Sequence, residues 1–212
     1  MEKIDVEGPE GRIQAVLHQA KTPSSDVLIV CHPHPLFGGT MDNKVVTTIG
    51  KTFLDNGMNV MRFNYRGVGE SQGRYGDMRG EVEDALAVFE WLNQHHEVDR
   101  LFLAGFSFGS YIAAKTAQVL VQRGVKVPHL LMVAPSVEHS PFELATPLAA
   151  PCTVIMGKLD ELVPFDAVQA WVHAQNSEIN LLVMPEATHF FHRQLIKLKA
   201  GIEGVLSQYT AG

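Results

Sequence analysis

Short apolar runs alternate along this chain with longer segments in which apolar residues recur at helical spacing. Two apolar strands open the chain around the turn residues GPEG, and strands and helices then follow one another almost in turn. That order predicts an α/β fold with a mostly parallel β-sheet and helices on both faces. The predicted strands are residues 4–7, 12–20, 27–32, 59–67, 100–106, 129–135, 152–158 and 179–186, and the predicted helices are residues 43–56, 81–96, 110–124, 165–175 and 193–206.

Size and charge narrow the class of protein. A chain of 212 residues with 46% hydrophobic residues can build one substantial core, so we expect a single domain over residues 1–212. A formal net charge of -6, with no local basic cluster, argues against a nucleic-acid partner. No apolar run approaches the ~20 residues of a membrane span. We therefore expect no nucleic acid and no membrane among the partners. For the oligomeric state, we expect a monomer or a homodimer.

The N-terminus and the cysteines bear on the compartment. The segment MEKIDVEGPEGRIQAV carries acidic residues where a signal peptide needs a basic segment and an apolar core. Cys31 and Cys152 both lie in apolar, strand-like runs, which favours reduced, buried thiols over a disulfide. A cytoplasmic protein is the resulting expectation.

The sequence GFSFG, residues 105–109, lies where a predicted strand becomes a predicted helix. Gly-x-Ser-x-Gly at such a junction is typical of the nucleophile elbow, a sharp, strained turn that exposes a serine hydroxyl. Gly105 and Gly109 allow the strand to pass into the helix with almost no spacer. The first N–H groups of that helix point toward the place where an oxyanion would form. Ser107 is thus the candidate nucleophile, and the Phe108 N–H is a candidate oxyanion donor.

A serine nucleophile needs a base and a group that orients the base. Asp160 follows the predicted strand 152–158, and His189 follows the predicted strand 179–186. Both lie at carboxyl ends of parallel strands, in the order Ser, Asp, His that this arrangement requires. Glu161 and Glu186 are weaker candidates for the orienting carboxylate. His192 is a weaker candidate for the base because it lies at the start of the final predicted helix.

The second oxyanion donor is expected in the loop CHPHPLFGGTMDNK that follows the predicted strand 27–32. Pro33 and Pro35 have no N–H and are excluded. We favour the N–H of Leu36, which precedes the Phe37-Gly-Gly bend, and keep the N–H of His34 as the alternative.

The histidines of this loop also allow a metal hypothesis. His32 and His34 at i and i+2 share a face if the strand extends that far. No His-Glu-x-x-His or Cys-x-x-Cys pattern supports a metal site. We therefore expect no metal and no cofactor, and interpret both histidines as hydrogen-bonding to the loop backbone.

Four stretches together, HPHPLFGGTMDNK, FNYRGVGESQG, GFSFGS and ATHFFH, give the chain a resemblance to a known group. It resembles the α/β-hydrolase superfamily over essentially its whole length, and within it the small bacterial serine hydrolases related to dienelactone-hydrolase-like proteins. The resemblance implies an eight-stranded sheet whose second strand is antiparallel, and a hydrolase with Ser107 as nucleophile. Dienelactone hydrolases proper carry a cysteine at that position, so dienelactone chemistry itself is not implied.

The expected function is acyl transfer to water through Ser107, His189 and Asp160, with an acyl-enzyme intermediate. Only residues 136–151 separate two predicted strands where related folds insert a lid, so no lid domain is expected. An open site suits a small soluble carboxylic ester or thioester. Its expected lining is Phe37, Phe106 and Phe190, with a place in the core as the alternative for these rings and the preferred one for Phe106. A peptidase or amidase with the same triad, and a catalytically silent ligand-binding homologue, are the alternatives.

Overall fold

The first two strands form an antiparallel hairpin around the predicted turn. In the computed structural model, which describes residues 1–175 and 177–210, β1 spans Glu2–Gly8 and β2 spans Gly11–His18. Ile4 and Val6 on β1, and Ile13 and Ala15 on β2, are buried, while the residues between them face outward. This period of two places one face of the hairpin on the core.

Across residues 1–175 and 177–210, the sheet has eight strands in the order β1-β2-β4-β3-β5-β6-β7-β8. β2 is antiparallel to both of its neighbours, and the strands from β4 to β8 pair in parallel. The predicted α/β class and the antiparallel second strand are confirmed. The remaining strands are β3 (Asp26–Cys31), β4 (Asn59–Phe63), β5 (Arg100–Phe106), β6 (Leu130–Val133), β7 (Cys152–Gly157) and β8 (Ile179–Met184).

Within the described residues, five α-helices cover both faces of the sheet. They are α1 (Lys44–Asp55), α2 (Arg79–His95), α3 (Phe108–Gln122), α4 (Phe165–His173) and α5 (Leu195–Thr210). α1 packs on α5, and α2 packs on α3. α4 joins the α3 side through Phe142, whose ring lies between Tyr111 of α3 and Trp171 of α4. In the part of the chain that the structure describes, no helix has the length and hydropathy to span a bilayer.

Most boundaries lie within two residues of the predictions, but α5 ends four residues later than predicted and one strand ends four residues earlier. The strand predicted over residues 59–67 ends at Phe63. The chain turns directly afterwards, since Val68 N donates to Tyr65 O and Gly67 adopts a positive φ of 74°. The Gly-rich segment between β4 and the next helix, residues 64–78, is a loop. It is anchored by Arg66, whose buried guanidinium pairs with Asp84 of α2 at 2.8 Å.

Both cysteines are free and buried, as expected. Cys31 lies at the end of β3, where burial raises the pKa of its thiol to about 12. Burial likewise raises the pKa of Cys152. Neither thiol is therefore an ionised nucleophile near neutral pH.

Candidate active site

Ser107 lies on a strained turn between β5 and α3. Its backbone has φ 54° and ψ -119°, a conformation that costs a non-glycine residue on the order of 1–3 kcal/mol. The turn is held by Ser107 N, which donates to Val133 O at 2.8 Å, and by Ser110 N, which donates to Ser107 O at 2.9 Å. A Cβ at Gly105 would overlap the Gly109 carbonyl, and a Cβ at Gly109 would overlap the Cys31 carbonyl. Both glycines are therefore required by close backbone approach.

The structure brings Asp160 and His189 together. His189 Nδ1 lies 2.8 Å from Asp160 Oδ2, and their side chains are only 4% and 0% exposed. The other carboxylate oxygen, Oδ1, accepts hydrogen bonds from Leu162 N at 2.9 Å and Val163 N at 2.7 Å. The carboxylate is thus fixed by three donors. With the proton on Nδ1 facing it, the Nε2 of His189 is free to act as a base.

The weaker candidates take no part in the contact between Asp160 and the His189 imidazole. Glu161 Oε2 accepts from the backbone N–H of His189 at 3.1 Å, so it holds the loop of the base without touching the imidazole nitrogens. Glu186 is on the surface, where it pairs with Lys197 at 2.8 Å. His192 is exposed. The geometry agrees with the preference for Asp160 and His189. No feature of the sequence predicted that Glu161 would hold the backbone of His189.

Ser107 and His189 both line a cleft of about 420 Å³ at the carboxyl edge of the sheet. This volume is in the range of ordinary small-molecule sites, ~300–1,000 Å³. Phe37, which is 86% exposed, and Phe190 stand in the lining as predicted. The other lining residues are Pro33, His34, Gly38, Gly39, Asn43, Phe108, Ser136, His139, Ser140, Leu162 and Val163.

Phe106 lies in the core, the placement preferred for it from the sequence, and the expectation that it lines the cleft is wrong. Its side chain is fully buried and does not line the cleft. Its ring instead lies 5.1 Å from the His189 ring and 6.1 Å from the Phe190 ring, measured between centroids. Because the elbow turns Ser107 outward, the neighbouring Phe106 side chain packs inward, where it supports the imidazole.

The choice of Leu36 as oxyanion donor is also contradicted. Leu36 N donates to His34 Nδ1 at 3.2 Å, which caps a short 3₁₀ helix over Pro35–Phe37, and Leu36 does not line the cleft. The alternative residue, His34, does line it. Within residues 1–175 and 177–210, neither the His34 N–H nor the Phe108 N–H donates to a protein group. Those two N–H groups remain the predicted oxyanion donors.

The loop histidines hydrogen-bond to backbone, as interpreted from the sequence. His32 Nε2 accepts from Tyr65 N at 3.2 Å, so its Nδ1 carries the proton and donates to Pro33 O at 2.7 Å. Burial lowers the pKa of His32 to about 3, and burial also lowers the pKa of His34. Both are neutral near pH 7. Among the described residues, no three His, Cys, Asp or Glu side chains are arranged to hold a metal ion.

Apart from Pro33, Gly38 and Gly39 of the loop after β3, six lining residues have no counterpart among the predicted site residues. Asn43 caps α1, and the others come from the loops that follow β6 and β7. Asn43 lies in the stretch HPHPLFGGTMDNK, but no motif marks the other five, although their position at the carboxyl ends of strands beside the elbow was available as a signal. They are Asn43, Ser136, His139, Ser140, Leu162 and Val163.

Comparison with known proteins identifies close relatives. The sequence profile of the family "Serine aminopeptidase, S33" matches residues 25–150, more than half of the chain. An uncharacterized protein of Rickettsia prowazekii, RP471, is 34% identical over 97% of this chain and 89% of its own length. An alpha-beta serine hydrolase homologue from Coxiella burnetii is 44% identical, with a TM-score of 0.90 over 97% of both chains. XC6422 from Xanthomonas campestris, an a/b serine hydrolase without lid, is 32% identical with a TM-score of 0.91, covering 100% of this chain and 95% of that one.

Proposed function

Since the chain belongs to the serine aminopeptidase S33 family of α/β serine hydrolases, we propose that it cleaves a small soluble carboxylic ester or thioester. The observation that carries the proposal is the buried 2.8 Å contact between His189 Nδ1 and Asp160 Oδ2, in a cleft that also contains Ser107. A catalytically silent binding protein has no need for a strained serine and an oriented imidazole in the same cleft.

The proposed reaction has two stages. His189 Nε2 takes the proton of Ser107 as Oγ attacks the acyl carbonyl, and the N–H groups of Phe108 and His34 bind the resulting oxyanion. His189 then gives the proton to the leaving alcohol or thiol, which produces an acyl-enzyme. A water molecule, deprotonated by His189, releases the acid and restores Ser107. Asp160 stays ionised and stabilises the imidazolium.

The cleft favours a neutral acyl group. No Asp, Glu, Lys or Arg of the described residues lines it. An aminopeptidase has to bind the ammonium of a peptide N-terminus, and a desolvated ammonium without a carboxylate partner is costly. This is the reason for preferring ester or thioester hydrolysis over the peptidase alternative.

The connection between β6 and β7 favours a soluble substrate. It holds only a short 3₁₀ helix, Phe142–Ala145, where a lid would be inserted. The cleft is therefore open to solvent, and no lid has to move before a substrate enters.

A matched pair of esters separates the two chemistries. The p-nitrophenyl esters of propanoic acid and glycine have the same leaving group and acyl groups of the same size. The methyl group of the propanoate is replaced by an ammonium group in the glycinate. After correction for spontaneous hydrolysis, we expect kcat/KM to be at least about tenfold higher for the propanoate, which corresponds to ~1.4 kcal/mol against the uncompensated charge. A preference for the glycinate ester would support the aminopeptidase alternative instead.

A further inference from the structure

Two serines form a hydroxyl pair in the wall of the cleft. Ser136 Oγ lies 2.8 Å from Ser140 Oγ. The two residues are only 5% and 7% exposed, yet both line the cleft that contains Ser107. They are thus more than nine-tenths buried and still border the space a substrate would occupy.

The loop that carries the pair is firmly held. The backbone N–H groups of His139 and Ser140 each donate to Ser136 O at 3.0 Å, and Phe142 N donates to Ser140 O at 2.8 Å. Phe142 is buried, with ring centroids 5.5 Å from Tyr111 and 5.0 Å from Trp171. The loop that brings the two serines to the cleft wall is therefore held in a fixed conformation.

The pair has one hydrogen-bond donor left over. Two hydroxyls carry two hydrogens, and only one of these lies between the two oxygens. In the part of the chain that the structure describes, neither Ser136 Oγ nor Ser140 Oγ has a second protein partner. The leftover hydrogen needs an acceptor, and because both residues line the open cleft, that acceptor is water or an atom of a bound ligand. A ligand oxygen that displaces the water keeps this hydrogen bond, whereas an apolar ligand group loses it.

The rest of the cleft determines which acceptor fits. The exposed side chains of Phe37, Leu162 and Phe190 give it apolar walls, and no carboxylate, ammonium or guanidinium of the described residues lines it. A charged ligand atom would find no opposite charge. A neutral oxygen on an otherwise apolar molecule satisfies both the leftover donor and the walls.

We propose that Ser136 and Ser140 are specificity residues that donate a hydrogen bond to a second, neutral oxygen of the substrate, distinct from the scissile ester group. The inference rests on the proposed function. It narrows the substrate class from plain alkyl esters to esters whose acyl or alcohol part carries an ether, hydroxyl or carbonyl oxygen.

The test uses two pairs of esters in which one CH₂ is exchanged for oxygen. The acyl pair is p-nitrophenyl pentanoate and p-nitrophenyl 3-methoxypropanoate, and the alcohol pair is pentyl butanoate and 2-ethoxyethyl butanoate. For each pair, the ratio of kcat/KM is measured on the wild type, Ser136→Ala and Ser140→Ala. Ser207→Ala, on the exposed side of α5, is the control.

In at least one pair, the cleft variant that loses the donating hydroxyl should lower the preference for the oxygen-bearing ester by about 3- to 10-fold, the value of one net hydrogen bond. Ser207→Ala should leave the ratio unchanged. Because both esters are measured on the same preparation, partial unfolding of a variant cancels from the ratio. Equal ratios in the wild type and both cleft variants, for both pairs, would overturn the specificity inference alone. A wild type that hydrolyses none of the four esters would overturn the proposed function and this inference together.

Discussion

Replacing Ser107 with alanine should lower kcat for ester hydrolysis by about 10⁴- to 10⁶-fold, the effect typical of removing a triad nucleophile. The loss follows because no acyl-enzyme can form. The fold should survive, since within the described residues the turn is held by backbone hydrogen bonds and the Ser107 hydroxyl has no protein hydrogen-bond partner. The measurement is kcat on p-nitrophenyl propanoate, with the thermal unfolding midpoint of each protein recorded alongside.

Ser207→Ala is the matched control for this variant, because it removes an exposed serine hydroxyl far along the chain on α5. It should keep wild-type kcat. Retention of more than about a hundredth of wild-type kcat by Ser107→Ala would contradict the assignment of Ser107 as nucleophile.

Replacing Asp160 with asparagine should lower kcat by about 10⁴-fold while preserving the geometry of the loop. The two backbone N–H groups of Leu162 and Val163 require an oxygen at the Oδ1 position, so the asparagine oxygen should occupy it. The asparagine NH₂ then faces His189 Nδ1. Nδ1 then has to accept a hydrogen bond from the asparagine NH₂, so the imidazole proton moves to Nε2. With Nε2 protonated, His189 has no free electron pair with which to act as a base.

Glu186→Gln provides the comparison for this charge change, because Glu186 pairs with Lys197 on the surface. Its kcat should match that of the wild type. If Asp160→Asn kept more than about a tenth of wild-type kcat at pH 7, Asp160 would not be the residue that orients the base.

The features that could be predicted are those determined by residues that lie close together in the sequence. The period of two in the first hairpin, the helical spacing of α1 to α5 and the two glycines of the elbow each follow from backbone geometry that neighbouring residues determine. Ser107, Asp160 and His189 could be placed because each follows a recognisable strand of a parallel sheet, whose carboxyl ends meet at one edge.

The predictions that failed, and the contacts that were not predicted, depend on the orientation of individual groups. Proline exclusion left several N–H groups in the loop after β3, and it could not reveal that the His34 ring takes the Leu36 N–H. The inward packing of Phe106 depends on the turn at Ser107, which reverses the direction of neighbouring side chains. The pairing of Ser136 with Ser140 depends on a loop conformation that no motif encodes.

The central claim is that Ser107 is a nucleophile activated by His189, and the most direct test is labelling with a fluorophosphonate probe. The modified peptide is identified by mass spectrometry in the wild type and in His189→Ala, and the labelling rate is followed in both. We expect label on Ser107 in the wild type and a rate at least about 10³-fold lower in His189→Ala. An unlabelled but folded wild type, label on a different serine, or equally fast labelling of both proteins would contradict the account.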